Sequence, residues 1–221
     1  PCVLKPHHFR EWEKLEEDHP LLNQKVAICE SADELLRQYQ SVSHATANVI
    51  VQEVIRGPDT NKRVYLAYYD ETGERIAHAM FRELRCAPFQ FGPATVSEPF
   101  DDDEADQACN KFLQSIGYKG ICEIEVKRDD RDGKVKLIEA NPRLSGGGDA
   151  APYAGVDLVW IHYQSITGMN PSKTVPNGRH FKHIVLRGEG HAIPNYFRAG
   201  LLDWKGLFHS YKPPLAFFDQ Q

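Results

Sequence analysis

The segment LIEANPRLSGGG, residues 137–148, places a carboxylate, an amide and a guanidinium at intervals of two residues. These groups belong to Glu139, Asn141 and Arg143. Carboxylate and amide oxygens suit a hard cation such as Mg²⁺, which proteins bind through a few carboxylates together with waters and substrate phosphates. The planar fork of Arg143 matches a phosphoryl or carboxylate oxygen at the same place. The segment therefore predicts a metal-bound phosphate.

Two predicted strands bring further acceptors to this place. Alternation puts Glu123 and Glu125 on one face of the first strand, and it puts Glu139 and Asn141 on one face of the next. The turn sequence DDRDG joins the two strands into a hairpin. A solvated hairpin face with several lysines nearby is the alternative interpretation. The polar groups cluster where the second strand ends abruptly, however, and this clustering favours a site.

The first 55 residues predict a small unit of strands and one helix. Apolar and β-branched runs predict strands at residues 1–6, 25–29 and 48–55. A helix is predicted from Ser31 to about Val42, because a serine and a glutamate stand there at the spacing of a capping box.

The remaining residues predict a sheet built mainly from two hairpins. Breaker residues make the segment 86–95, CAPFQFGPAT, an expected irregular loop. The other predicted elements are hairpin strands at 64–70 and 74–84, hairpin strands at 120–128 and 134–141, a strand near 183–186, and helices at 101–117, 156–167 and 203–208.

Composition excludes several classes of protein. The chain has 221 residues, 41% of them hydrophobic, and contains no apolar run long enough to span a bilayer. Five scattered cysteines without a CxxC pair argue against a disulfide framework and a zinc site. The formal charge of −5, with dispersed Lys and Arg, argues against nucleic-acid binding. We expect a cytoplasmic protein. A strand is predicted from the very first residues, which suggests that the sequence is a fragment.

Four segments in order, PCVLKP, VIVQEVIRGPD, GICEIEVKR and LIEANPRL, give the chain a family resemblance. Together they resemble the ATP-grasp superfamily, and FRELRCAPFQFG is especially similar to its carboxylate-amine ligase-like members. The resemblance implies an α+β fold in which two α+β subdomains grip ATP, with mostly antiparallel sheets and helices on one face. It implies a partial N-terminal subdomain at 1–55, a C-terminal subdomain at 56–190, and a tail with a short helix at 191–221. The N-terminal pre-ATP-grasp domain of the family would be missing.

The resemblance also implies nucleotide contacts. Lys5 would reach the α- and β-phosphates of ATP. Gln52, or the backbone carbonyl of Glu53, would receive the adenine amino group, and the backbone amide of Ile55 would face the ring. Asp59 matches the acid that holds the ribose hydroxyls.

The same resemblance assigns roles at the hairpin. Glu125 and Glu139 match the two metal-binding carboxylates, and Asn141 matches the amide beside them. Arg143 would steady the acyl-phosphate and its transition state, so that Arg143 and Asn141 are the expected catalytic residues. Glu123, one pair earlier on the strand than Glu125, would support these ligands.

Other residues leave two interpretations open. Arg82 and Arg85 are either phosphate or substrate contacts or a solvated strand end. The glycines 146–148 either let a substrate approach the backbone or form a flexible turn. The family's glycine-rich phosphate loop is absent after the phosphate lysine. One interpretation is that the side chains of His7, His8 and Arg10 replace the amides of that loop. The other is that the segment after Lys5 only covers the site from outside.

The function implied by the resemblance is that of an ATP-dependent ligase. A substrate carboxylate would attack the γ-phosphate of ATP to give an acyl-phosphate, which an amine or thiol displaces. ATP and Mg²⁺ (or Mn²⁺) are the expected cofactors, and small-molecule carboxylates and amines are the expected partners, without nucleic acid or membrane. A homodimer is a further expectation. The alternatives are kinase-type phosphoryl transfer by an ATP-grasp protein and a non-catalytic nucleotide-binding domain.

Overall fold

The computed structural model describes residues 1–46, 48–212 and 214–218. It divides into two compact units, Pro1–Ile55 and Arg56–Gln221. The first unit contains an antiparallel sheet in which β1 lies between β2 and β3. Its elements are β1 (Cys2–Pro6), a 3-10 helix (Phe9–Lys14), β2 (Ala27–Cys29), α1 (Ala32–Val42) and β3 (Val49–Glu53).

The core of the first unit lies between its sheet and the two helices. Leu4, Trp12, Cys29 and Val42 are buried there. The expected capping residue is confirmed, because the Ser31 hydroxyl accepts the Glu34 backbone N–H at 3.2 Å. The Glu34 carboxylate closes the turn differently from a capping box, since it accepts the N–H of Glu30.

The second unit is built on one large, mostly antiparallel sheet. Its elements are β4 (Lys62–Tyr69), β5 (Arg75–Cys86), β6 (Ala94–Pro99), α2 (Asp103–Ser115), β7 (Gly120–Arg128), β8 (Val135–Asn141), α3 (Leu158–Ile166), β9 (Lys182–Val185), α4 (Leu186–Arg198), α5 (Trp204–Ser210) and β10 (Leu215–Phe218). Among the described residues, the strand order is β10-β9-β6-β5-β4-β7-β8. All pairs are antiparallel except β9 with β10. Both predicted hairpins are confirmed.

Helices cover both faces of this sheet. The α2 face buries Tyr65 and Ile124 against Leu113, and the α3 face buries Leu66 against Leu158. The expectation of helices on one face was therefore wrong. The physical reason is that every residue of β4 is buried, so both of its faces need an apolar cover. The α+β class and the mostly antiparallel sheet are confirmed.

The sequence patterns did not predict three elements, β6, α4 and β10. The expected irregular loop ends in β6, which continues beyond its Gly-Pro pair. The segment expected to be a tail contributes α4 and β10 to the second unit, together with α5, which matches the predicted short helix. The boundary expected at His191 falls inside α4. Its internal Pro194 and two glycines hide the helical pattern of α4.

Two expectations from composition concern the cysteines and membrane-spanning segments. The cysteines are all free thiols, as expected. In the part of the chain that the structure describes, no helix is both long and apolar enough to cross a membrane.

Candidate active site

The hairpin of β7 and β8 places the predicted metal ligands opposite one another. Glu125 pairs directly with Glu139, and Glu123 pairs with Asn141. On β4, Val64 pairs with Glu125 and belongs to the core beneath α3, so the four polar side chains lie on the α3 face. Like charges directly opposite on a sheet destabilise it unless a cation lies between them. A positive charge near Glu125 and Glu139 would therefore stabilise this pair of strands.

The predicted ligands would supply only part of the coordination of a metal ion. In the described residues, no group of three or more His, Cys, Asp or Glu side chains is placed to bind a metal. Two carboxylates and one amide would leave the remaining positions of a hard cation to waters and substrate oxygens, as Mg²⁺ prefers. Glu139 is exposed and the side chain of Glu125 is 23% exposed, so both can be reached from solvent.

Glu123 forms the buried base of this site. Its carboxylate accepts the Ser145 hydroxyl on one oxygen and the Asn141 amide, at 3.4 Å, on the other. Burial raises the pKa of Glu123 to about 7; the charge of Glu125 adds to this effect and Arg143 opposes it. Glu123 thereby fixes the end of β8 and the start of the segment that follows.

The glycines after Arg143 form a packed 3-10 helix, Gly146–Ala150, rather than a flexible turn. The Ser145 hydroxyl accepts the N–H of Gly147 at 3.3 Å. Gly148 is buried, and a Cβ there would overlap the side chain of Leu144, so close packing requires glycine. Ser145 thus links this short helix to Glu123.

A second charged pair lies beside the carboxylates. Lys62 Nζ on β4 lies 2.7 Å from Glu83 Oε2 on β5 and 3.7 Å from Glu125 Oε2. Burial lowers the pKa of Lys62, but Glu83 and Glu125 outweigh this effect and raise it. Burial raises the pKa of Glu83. Sequence reasoning missed both residues, although alternation along the two strands could have placed them on one face.

Comparison with known proteins finds similarity to one family model and to one ligase. Residues 92–187 match the family described as "ATP-grasp in the biosynthetic pathway with Ter operon". The chain is 30% identical over 151 residues to a D-aspartate ligase from Enterococcus faecium (strain Aus0004). The chain is therefore similar to ATP-grasp proteins. That match covers 65% of this chain and 34% of the relative, so the chain spans about a third of the length of this ligase.

Solved structures share the ATP-grasp fold. One is the biotin carboxylase domain dimer of Hydrogenobacter thermophilus 2-oxoglutarate carboxylase, with a TM-score of 0.57 and 18% identity over 77% of this chain and 37% of that one. Another is N5-carboxyaminoimidazole ribonucleotide synthetase from Thermus thermophilus, with a TM-score of 0.54 and 16% identity over 80% of this chain and 44% of that one. At these identities the likeness concerns the fold.

One residue expected at the ATP-grasp phosphate site lies on the other face of the sheet from the facing carboxylates. Arg82 pairs with Arg63 across β4 and β5, and both guanidinium groups stack at 4.3 Å from the centre of the Phe100 ring. Arg82 also pairs with Glu98 on β6. Because Arg82 is next to Glu83 on a regular stretch of strand, it faces the α2 side. The structure therefore does not bring Arg82 together with the facing carboxylates, and its contact with the nucleotide stays a prediction.

Arg85 is likewise engaged in packing. Its guanidinium donates to the Glu189 carboxylate of α4, at 2.5 Å from one nitrogen, and to the Ser210 hydroxyl at 3.0 Å. The Arg85 side chain is only 4% exposed. Thr95 and Tyr211 also donate to Glu189, so this cluster fixes α4 and α5 to the sheet. Neither a substrate contact nor a solvated strand end describes Arg85.

Asp59, the predicted ribose contact, is buried and bonded to α4. It is 5% exposed, and one of its oxygens accepts the hydroxyl of Tyr196 on α4. The other oxygen, Oδ1, is buried and has no hydrogen-bond partner among the described residues. The predicted contact of Asp59 with the ribose hydroxyls stays a prediction. Asp59 joins the start of β4 to α4.

The remaining predicted ATP contacts lie in the first unit. Lys5 pairs with Ile50 near the end of β1, Gln52 pairs with Val3, and Glu53 pairs with Cys2. Ile55 is the last residue of that unit. Their roles toward ATP stay predictions.

The segment after the phosphate lysine is ordered without glycine. Glu11 accepts the His8 N–H at 3.2 Å and the Thr46 hydroxyl at 2.8 Å, which holds the 3-10 helix in place. His7, His8 and Arg10 are exposed on this segment. They remain available as donors in place of a glycine-rich loop, and that role also stays a prediction.

Proposed function

We propose that this chain is the ATP-grasp portion of an ATP-dependent carboxylate-amine or carboxylate-thiol ligase. The observation that carries the proposal is the direct cross-strand pairing of Glu125 with Glu139. Asn141 lies on the same face, and Arg143 follows two residues later. The similarity to a D-aspartate ligase supports a reaction that joins a carboxylate to an amine.

The residues fit a magnesium or manganese ion bound together with ATP. Glu125, Glu139 and Asn141 would hold the cation, because two facing carboxylates need positive charge between them. When bound, the ion supplies charge neutralisation to the transferring phosphoryl group. The 2-oxoglutarate carboxylase domain of the same fold was solved with MgADP, which agrees with this assignment.

The proposed reaction has two steps. A carboxylate oxygen of the substrate attacks the γ-phosphorus of ATP, the bond to the β,γ-bridging oxygen breaks, and ADP leaves. An amine or thiol then attacks the acyl carbon of the acyl-phosphate, and inorganic phosphate leaves with the original carboxylate oxygen. One proton of the amine or thiol passes to solvent or to a base.

The chain's own residues position and stabilise the reacting groups. Lys5 would hold the α- and β-phosphates, while Gln52, Glu53 and Ile55 would contact the adenine. Arg143 would stabilise charge that moves as the phosphoryl group transfers, which lowers the barrier more than it strengthens ATP binding. A cytoplasmic location and a homodimer stay predictions.

An ADP-release assay tests the proposal. The full-length protein that contains this chain is incubated with Mg²⁺, ATP and pooled carboxylic acids, with and without amines. We expect carboxylate-dependent ADP release that Glu139→Gln abolishes. Glu71→Gln, a matched acid-to-amide change at a surface position on the β4–β5 turn, should have no effect.

Two other results would contradict the ligase assignment. Retention of the phosphate on the acceptor, without release of inorganic phosphate, would identify a kinase. Nucleotide binding without turnover under any of these conditions would identify a non-catalytic domain.

A further inference from the structure

Lys62 lies between two carboxylates of unequal accessibility. Its ammonium is 2.7 Å from Glu83 and 3.7 Å from Glu125. The side chains of Lys62 and Glu83 are 5% and 1% exposed, whereas that of Glu125 is 23% exposed. The lysine therefore makes its close ion pair with the covered carboxylate and leaves the accessible one largely free.

This arrangement matters because a lysine and a metal ion would compete for Glu125. A buried ammonium needs a carboxylate partner, since an unpaired charge in the interior costs several kcal/mol. Without the negative charge of Glu83, the nearest partner for Lys62 would be Glu125. Glu125 would then be neutralised from within the protein rather than by a bound cation.

We infer that Glu83 is a positioning residue that holds Lys62 away from Glu125 and so keeps Glu125 available to a divalent cation. The inference rests on the metal site of the proposed function and adds to it a control of the charge of that site. Neither Glu83 nor Lys62 needs to touch the nucleotide for this effect.

The size of the effect follows from the two distances. If the ammonium moved from 3.7 Å to 2.7 Å from Glu125, its attraction to this carboxylate would strengthen the internal ion pair about tenfold at an effective dielectric constant near 20. A cation would have to displace that pair. We therefore expect Glu83→Gln, which keeps the shape and removes the charge, to weaken cation binding about tenfold.

The test measures binding of Mn²⁺ together with ADP by calorimetry, with thermal unfolding as the check of folding. Glu83→Gln should bind about tenfold more weakly than the wild type. Lys62→Met should bind no more weakly than the wild type, because the competing charge is gone. The double variant Lys62→Met/Glu83→Gln should recover most of the affinity that Glu83→Gln loses.

The control is Glu104→Gln, which removes an acid of the Arg128 ion pair on α2, on the opposite side of the same sheet, and should leave binding unchanged. Wild-type affinity in Glu83→Gln would overturn the inference. A loss in Lys62→Met would also overturn it, because Lys62 would then contact the nucleotide directly; this comparison decides the matter even if Glu83→Gln does not fold. If the wild type fails to bind Mn²⁺ with ADP, the proposed function fails as well, and the wild-type titration distinguishes that case.

Discussion

Glu123 is the residue whose environment most directly predicts a dependence on pH. Burial and the charge of Glu125 raise its pKa from 4.5 to about 7. Between these pH values the folded protein holds a proton that the unfolded chain has released. The free energy of unfolding therefore falls as the pH rises through this window.

Glu123→Gln removes this penalty while keeping an acceptor for Ser145. At pH 8 and without metal, the variant should be more stable than the wild type by up to about 3 kcal/mol. At pH 4.5 the two proteins should differ little. Urea unfolding at both pH values measures the difference, and an equal effect at the two values would show that Glu123 does not titrate in the window.

Arg143 is predicted to act on the transition state rather than on bound ATP. Arg143→Ala should lower kcat by the equivalent of about 3 kcal/mol while ATP affinity changes little, as expected for removal of one preorganised donor. Arg143→Lys keeps the charge but loses the planar fork, so it should rescue only in part. Steady-state kinetics would contradict this role if Arg143→Ala kept its kcat and only raised the KM for ATP.

Alternation was sufficient to predict the facing carboxylates, because β7 and β8 are neighbours joined by a short turn. It was not sufficient for Arg82, Asp59 or Lys62. The face of Arg82 depends on how β5 pairs with β4, and the burial of Asp59 depends on α4, which is distant in sequence. Lys62 and Glu83 neutralise one another across two strands, and single-sequence patterns cannot distinguish such a pair from solvated charges.

At the scale of elements, α4 packs against β6 through a glycine. A Cβ at Gly188 would lie 2.5 Å from Thr95 Cγ2, whereas one at Gly190 would meet no atom within 4 Å. Gly188→Ala should therefore destabilise the protein by roughly 1–3 kcal/mol through overpacking. Gly190→Ala, in the same helix, should be neutral or stabilise it by up to about 1 kcal/mol because alanine favours the helix.

Thermal unfolding of the two variants measures this difference. Equal melting temperatures would show that α4 does not pack on β6 as described. The same glycines explain why the sequence did not predict α4. Gly188 permits close packing against β6, but both glycines also weaken the sequence pattern of a helix. Tertiary contacts with Arg85, Thr95 and Tyr211, gathered around Glu189, stabilise α4 instead.

At the scale of the whole molecule, the chain combines two units of different size, and most of the candidate site belongs to the second. Its hairpin carries the proposed cation ligands, and the core beneath α3 supports the hairpin from the same face. The first unit carries the predicted phosphate lysine. The chain spans about a third of the length of the D-aspartate ligase that it resembles.

Isotope transfer tests the central claim most directly. The carboxylate that supports ADP release is labelled with ¹⁸O in both oxygens and incubated with the protein, Mg²⁺, ATP and the amine. An acyl-phosphate route predicts one ¹⁸O atom in each inorganic phosphate released, because the carboxylate oxygen that attacked the γ-phosphorus leaves with it. Mass spectrometry of the phosphate reads the result, and phosphate without ¹⁸O would contradict the ligase mechanism proposed for this chain.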